Sequence, residues 1–168
     1  MLKNFVKAEK PQDEELKQRI REAGEKLAAQ QNQIKEHKIP VLVLMEGWGT
    51  AGKGSLIGEV IKYLDPRFFK VAAMNVPTEE KRKPFLYRYF QKIPEAGKFM
   101  FLDTGWMDEI TRQRLNGEMD DKVYEQRLES VRNFERQLTD NGYVVLKFFC
   151  RICEKEQKKR KDRILCLV

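Results

Sequence analysis

Short apolar runs alternate with amphipathic stretches along most of this 168-residue chain. The apolar runs predict strands at 41–45, 69–74, 98–103 and 143–150. Apolar side chains at helical spacing predict helices at 53–64, 107–115 and 120–139, and from residue 154 onward. Strands that alternate with helices predict an α/β protein whose parallel sheet is covered on both faces.

A longer amphipathic stretch precedes the first strand. Apolar residues recur at helical spacing between Gln12 and Glu36, and acidic side chains in the first turn suit the helix dipole. We expect this helix to cover the domain or a partner helix. The sequence therefore divides into an N-terminal arm and helix at 1–39, a domain at 40–160 and a divergent tail at 161–168.

The first strand ends in a glycine-rich turn with the spacing of a phosphate-binding loop. Gly47-x4-Gly52-Lys53 lies between an apolar run and an apolar-periodic segment, in the order strand, loop, helix. Glycines let successive N–H groups point inward at an anion, and the following helix N-terminus adds positive charge. The predicted phosphate-binding residues are Gly47, Gly49, Ala51, Gly52, Lys53, Gly54 and Ser55. The alternative is a glycine-rich turn that binds no ligand.

Two residues are candidates for catalytic roles in phosphate chemistry. Lys53 can reach terminal phosphates as a point charge. Asp103 ends an apolar run, and an acidic residue at the end of a neighbouring strand holds magnesium in phosphate-loop proteins. Asp103 could instead cap a helix that follows the strand. Gly54 replaces the usual hydroxyl ligand of the metal, and Glu46 is expected to orient the loop backbone.

The chain is basic, with a formal net charge of +7. This charge favours polyanions such as nucleotides, polyphosphate, nucleic acid or acidic lipid, without deciding among them. Arginine pairs bidentately with phosphate, so Arg82, Arg88 and Arg112 are predicted to form a polyanion rim, although a lone arginine is more often a solvated surface charge. Apolar runs are too short for a membrane span or a secretory signal, so we expect a cytoplasmic protein without a membrane partner.

Three cysteines do not suggest a disulfide framework. Cys150 and Cys153 have CxxC spacing at the end of an apolar run, which suits a redox pair where a strand meets a helix. A zinc site would need Cys166 and the lone His37 as well. The favoured interpretation is that these cysteines are small, buried apolar side chains.

Several segments together resemble the polyphosphate kinase 2 family. They are Glu46-Gly-Trp-x-x-Ala-Gly-Lys-Gly54, Pro77-Thr78-x-Glu80, Pro94-x-x-Gly97, Asp103-x-x-Trp106, Phe134-Glu135, Lys147-Phe148-Phe149 and Glu156-Gln157-x-x-Arg160. None is specific alone, but their order along the chain supports the assignment. The resemblance covers about 41–160, which is most of the chain.

The resemblance implies a three-layer P-loop kinase-like fold with a helical lid. It also implies phosphoryl transfer between inorganic polyphosphate and AMP or another nucleotide, with Mg²⁺ as cofactor and Asp103 as its ligand. The expected partners are polyphosphate and a nucleotide, with no specific nucleic acid, and a homo-oligomer or a tandem sister domain is a further expectation. Two alternatives stay open: a catalytically degraded module that binds phosphate or a sister domain without turnover, and an ATP-dependent small-molecule kinase.

The sequence also departs from the family pattern. Gly49 stands where the family has an aspartate, Thr104-Gly105 replaces an Arg-Ser pair, and Met107 replaces a tyrosine. The resemblance stops after Arg160, so we expect the lid and the last strand to be missing. The pattern is most similar to the N-terminal half of tandem polyphosphate:AMP phosphotransferases, and a truncated or frame-shifted piece of such a protein is expected.

Overall fold

The computed structural model describes residues 12–74 and 83–165. The helices are α1 (Asp13–Glu36), α2 (Lys53–Ile61), α3 (Tyr87–Phe90), α4 (Trp106–Leu115), α5 (Asp121–Asp140) and α6 (Glu154–Leu165). The strands are β1 (Val41–Gly47), β2 (Phe69–Ala72), β3 (Phe99–Leu102) and β4 (Val144–Cys150). Every predicted strand is present, and the predicted Pro77-Thr78-x-Glu80 segment lies outside the described residues.

The four strands form one parallel sheet in the order β2-β3-β1-β4. β1 is central: Val43 lies opposite Phe101 on β3 and opposite Leu146 on β4. Because the strands are parallel, the carboxyl ends of β1 and β3 meet at the same edge of the sheet. That edge carries the glycine-rich loop and Asp103 side by side.

Alternate side chains of the central strands build two cores, one on each face of the sheet. Leu42 and Leu44 pack with Trp106 and Phe134 from α4 and α5. Val41 and Val43 pack with Ile57 of α2, and Leu27 and Ile34 of α1 lie against the same cluster. Buried strands covered on both faces give the predicted three-layer α/β architecture.

Two elements end earlier than the sequence predicts. α2 stops at Ile61 because its last turn tightens: Tyr63 N donates to Val60 O at 3.3 Å and Leu64 N to Ile61 O at 3.1 Å. β2 ends at Ala72 instead of Met74, although Met74 still packs in the core. These differences of two or three residues leave the order of the elements unchanged.

The second half of α1 packs on the domain. Buried Gln31 accepts from Asp65 N at 2.8 Å and donates to Asp65 O at 3.3 Å, which ties the helix to the end of α2. A Cβ built on Gly24 would overlap the Tyr63 ring, so glycine allows the close approach. Ile20, in the first half, is exposed. The sequence predicted that this helix covers either the domain or a partner helix, and its second half covers the domain.

β4 forms one edge of the described sheet. Val144, Leu146, Phe148 and Phe149 on it are exposed, and their exposure reaches 54% at Phe149. Within residues 12–74 and 83–165, β4 pairs with β1 alone, and no strand follows it. None of the helices described for those residues is long and apolar enough to cross a membrane.

Candidate phosphate-binding site

The loop between β1 and α2 needs glycine at two places. Gly47 has φ +121°, and a Cβ there would overlap the carbonyl oxygen of Cys150 at the end of β4. Gly52, the N-cap of α2, has φ +93°. Both are left-handed conformations that favour glycine. The loop therefore reverses direction close to the sheet and delivers the chain into the start of α2.

The start of α2 presents backbone donors to the loop. Leu56 N donates to Gly52 O at 2.9 Å, so the N–H groups of Lys53, Gly54 and Ser55 precede the first helical hydrogen bond. Gly54 and Ser55 are exposed. Unpaired N–H groups and the helix dipole together favour an anion at this position.

Lys53 folds back across the loop. Its Nζ donates to the carbonyl oxygens of Gly47 at 3.1 Å and Trp48 at 3.4 Å. Lys53 is half-buried, and these two carbonyls hold its ammonium group against the loop. The cation that the sequence assigned to phosphate binding is thus held at the loop by groups that a phosphate could replace.

Asp103 lies beside the N-terminus of α2. It follows β3 directly, and its Oδ1 is 3.9 Å from the point where a Cβ on Gly54 would stand. It does not cap α4, because the N-cap of that helix is Gly105. The helix-cap alternative is therefore wrong, and the half-buried carboxylate lies close to the start of α2.

The side chains of α6 brace the loop from the other side. Gln157 donates to Gly49 O at 3.1 Å, and Arg160 donates to Thr50 O at 3.2 Å. Glu156 holds the Arg160 guanidinium at 2.8 Å. The predicted site residues did not include Gln157 or Arg160, although the motif Glu156-Gln157-x-x-Arg160 was a signal for them.

Glu46 lies beneath the loop and is buried. Its Oε1 accepts from Met107 N at 3.2 Å, so Glu46 caps α4, whereas the sequence had suggested that it orients the loop. A Cβ on Gly105 would overlap the same oxygen, so the glycine that departs from the family pattern makes room for the carboxylate. Burial raises the pKa of this carboxyl above its ordinary value, because it disfavours the charged form.

With this geometry established, comparison with known proteins identifies the family. The polyphosphate kinase 2 family model matches residues 10–164. The chain belongs to the polyphosphate kinase 2 family. The match includes the loop, Asp103 and α6, and the observed parallel sheet with helices on both faces agrees with the P-loop kinase-like architecture expected from the resemblance.

Relatives of this polyphosphate kinase 2 chain are longer proteins. It is 34% identical over 128 residues to a polyphosphate:AMP phosphotransferase of Pseudomonas syringae pv. tomato, covering 76% of this chain and 25% of the relative. It is 32% identical over 137 residues to ADP-polyphosphate phosphotransferase 3 of Rhizobium meliloti, covering 81% of this chain and 48% of the relative. The chain thus spans between a quarter and a half of these two relatives.

Solved structures agree with the family assignment. Polyphosphate kinase 2 from Arthrobacter aurescens superposes with a TM-score of 0.82 at 29% identity, covering 88% of this chain and 54% of the other. A Pseudomonas aeruginosa protein assigned to polyphosphate kinase 2 superposes with a TM-score of 0.90 at 26% identity, covering 98% and 36%.

The predicted polyanion rim is only partly described in this polyphosphate kinase 2 chain. Arg88 is buried, pairs with Glu109 and donates to Met74 O at 3.0 Å. It ties α3 to α4 instead of lining an open surface, because its donors are used inside the fold. Arg112 is exposed on α4, and Arg82 lies outside the described residues.

Three residues of the family-like motifs form a structural cluster behind the sheet. Trp106 is fully buried and its Nε1 donates to Glu135 at 3.0 Å. Lys147 of β4 donates to both oxygens of Glu135, at 2.9 and 2.8 Å. These residues join α4, α5 and β4, so their role here is to pack the helices α4 and α5 against the sheet.

Proposed function

We propose that this chain binds polyphosphate and a nucleotide as the phosphate-loop part of a polyphosphate-dependent nucleotide phosphotransferase. The observation that carries the proposal is the placement of Asp103 beside the start of α2, next to the loop that holds Lys53. Family membership and the printed names of the relatives support it. Such a transfer asks the protein mainly for positioning and charge neutralisation.

In this proposal the loop and Lys53 hold the phosphates. The backbone N–H groups of Lys53, Gly54 and Ser55 bind phosphate oxygens, and Lys53 exchanges its contacts with the carbonyls of Gly47 and Trp48 for contacts with phosphate. Arg112 and Arg82 stay candidates for the polyanion path. Arg88 does not, since its guanidinium is already paired with Glu109.

The residues at the site fit a magnesium ion that is held largely by its substrate. No group of three or more His, Cys, Asp or Glu side chains in the described parts of the chain could hold a metal. Asp103 would hold the ion through its carboxylate, together with phosphate oxygens of the substrate. A magnesium ion held there would supply neutralisation of phosphate charge.

A second candidate function, phosphate binding with little or no turnover, is favoured by Gly49. This position is exposed, and nothing lies within 4 Å of a Cβ built there. The family aspartate would thus have room here, but the chain supplies no side chain. Losing a ligand that stabilises transition-state charge costs about 10²–10³ in rate, while binding by the loop backbone is retained.

The direct test is a donor and acceptor assay of the chain beside a binding titration. Polyphosphate or ATP serves as the sole phosphoryl donor, with Mg²⁺ and AMP, and tripolyphosphate affinity is measured by calorimetry. We expect binding together with turnover well below an ordinary enzyme rate of about 10 s⁻¹. Turnover at that rate would remove the degraded-module candidate, and turnover with ATP alone would favour an ATP-dependent small-molecule kinase. Absence of tripolyphosphate binding would refute the site.

Gly49→Asp tests the missing carboxylate. The variant is made in a fusion of this chain with the remaining segments of a longer relative, so that water is excluded from the site. In this fusion we expect Gly49→Asp to raise turnover about 10²-fold over the same fusion with Gly49. Gly58→Asp is the matched control, because a Cβ at Gly58 also meets nothing within 4 Å. An equal gain in both variants would show that added negative charge, and not its position, changes the rate.

A further inference from the structure

Cys150 and Cys153 lie at the junction where β4 passes into α6. β4 ends at Cys150, and α6 begins at Glu154. Both thiols are free; Cys150 is half-buried and Cys153 is exposed. The expectation of two buried apolar side chains is therefore wrong for Cys153. A CxxC pair where a strand meets a helix is instead the local arrangement of redox-active thiols.

The Cys150 end of this junction supports the phosphate loop directly. Trp48 N donates to Cys150 O at 3.2 Å, and Gly47 is the strand partner of Cys150. Arg151, the next residue, lies with its guanidinium carbon 5.8 Å from the centre of the exposed Trp48 ring. The first residues of the loop thus take their position from the backbone that leads out of β4.

The Cys153 end reaches the loop through α6. Gln157 N donates to Cys153 O at 2.9 Å, which fixes the first turn of the helix to the cysteine. The Gln157 side chain in turn donates to Gly49 O at 3.1 Å. A displacement of Cys153 would therefore move Gln157 as well and alter its hydrogen bond to Gly49 O in the loop.

We propose that Cys150 and Cys153 are a thiol pair that closes reversibly to an intramolecular disulfide and thereby weakens phosphate binding by the loop. A disulfide needs Cα atoms about 4.4–6.8 Å apart, so residues 150–153 must close into a tight turn. Pairing with β1 holds Cys150 in the sheet, so Cys153 and the start of α6 move. This inference rests on the proposed function, since the loop must bind phosphate for the weakening to be measured.

Hydrogen peroxide is the oxidant in this scheme. The sulfur of the exposed Cys153 thiol attacks a peroxide oxygen, the O–O bond breaks, and the leaving hydroxide takes the thiol proton, so that a sulfenic acid and one water form. The Cys150 thiol then attacks the sulfenic sulfur, the S–S bond forms and a second water leaves. Two thiols and one hydrogen peroxide thus give one disulfide and two waters, and an added dithiol returns the pair to the reduced state.

The test oxidises the full chain with hydrogen peroxide and compares it with the reduced chain. Intact mass and alkylation mapping report the disulfide, and calorimetry reports tripolyphosphate affinity. We expect a monomeric species that has lost two hydrogens and carries a crosslink between residues 150 and 153. Its affinity for tripolyphosphate should be about tenfold lower, which is the order expected when two hydrogen bonds that brace the loop are lost. Dithiothreitol should restore the free thiols and the affinity.

Two variants make the outcome decisive. Cys153→Ser should lose the crosslink and the effect on affinity, whereas Cys166→Ser should keep both. A crosslink to Cys166, oxidation of Cys153 beyond the sulfenic acid without a disulfide, or a 150–153 disulfide that leaves affinity unchanged would overturn the proposal.

Tryptophan fluorescence separates this inference from the proposed function. Trp48 is exposed on the loop and Trp106 is fully buried, so iodide quenching reports the loop. If the reduced chain fails to bind tripolyphosphate, the proposed function falls, but quenching still measures whether the disulfide moves the loop. Unchanged quenching in the crosslinked protein would then refute the coupling.

Discussion

At the scale of single residues, Lys53 should separate phosphate binding from folding. Lys53→Ala is expected to weaken tripolyphosphate binding about 10- to 100-fold, since a hydrogen bond to a charged group contributes about 1.5–3 kcal/mol. Calorimetry measures the affinity, and a melting curve should change by no more than about 3 °C, because water can satisfy the two loop carbonyls.

Lys62→Ala is the control for this prediction. Lys62 follows the same helix, and its ammonium pairs with Glu59 at an exposed position. Its removal should leave tripolyphosphate affinity close to that of the parent chain. A collapse of the melting temperature in Lys53→Ala, or an unchanged affinity, would mean that Lys53 is a structural residue.

Glu46 should make stability depend on pH in a predictable direction. Because burial raises its pKa in the folded chain, the folded carboxyl keeps its proton at pH values where the unfolded one has lost it. The free energy of unfolding therefore falls as pH rises through that interval. Glu46→Gln keeps an acceptor for Met107 N but does not ionise, so its stability relative to the parent should increase from about pH 4 to pH 7.

Urea denaturation at several pH values measures this difference. Glu129→Gln, at an exposed position of α5, is the control for losing a surface carboxylate. A difference between Glu46→Gln and the parent that stays constant with pH would contradict the assignment. In that case Glu46 would contribute to stability only as the hydrogen-bond acceptor of Met107 N at the start of α4.

At the scale of secondary-structure elements, α6 should act as a brace for the loop. Gln157→Ala removes the donor to Gly49 O and is expected to weaken tripolyphosphate binding several-fold, since a net hydrogen bond contributes about 1 kcal/mol. Melting should change little, because the side chain lies at the surface. Gln18→Ala on the exposed half of α1 is the matched control. Equal affinities in the two variants would show that α6 only lies near the loop.

Elements with local signals were predictable from the sequence. The β1 strand, the loop and the start of α2 follow from an apolar run, two glycines and a lysine within about 15 residues, and the structure confirms that order. The early end of α2 depends instead on i→i+3 bonds in its last turn. Periodicity alone does not resolve such an end.

The fold and the candidate site both contain contacts between distant segments that no local pattern specifies. Arg88 lies in a basic, aromatic stretch that suggested a surface, but its partner Glu109 is 21 positions away. Gln157 meets Gly49 across 108 positions. Gly105 appears in the sequence only as a departure from a motif, and its reason, the space taken by Glu46, is visible only in the folded chain.

At the scale of the whole molecule, the net charge of +7 should appear in the salt dependence of binding. Exposed charges are screened over about 10 Å at 0.1 M salt, so affinity for a long polyphosphate should fall steeply with ionic strength. Tripolyphosphate, which occupies little beyond the loop, should give a shallower slope. Titrations of both ligands at three salt concentrations measure this difference. Equal slopes of affinity against salt for the two ligands would mean that basic residues outside the loop do not contribute to polyphosphate binding.

The open side of β4 has a consequence for how the chain behaves in solution. Within residues 12–74 and 83–165 the outer side of β4 has no strand partner and carries exposed apolar side chains such as Leu146 and Phe148, so it is a template for another copy of itself. Lys147, the charge within this stretch, is engaged by Glu135 on α5. Repulsion between copies therefore rests on charges elsewhere on the surface, and added salt, which screens them, should lower the solubility of the chain as it lowers polyphosphate affinity.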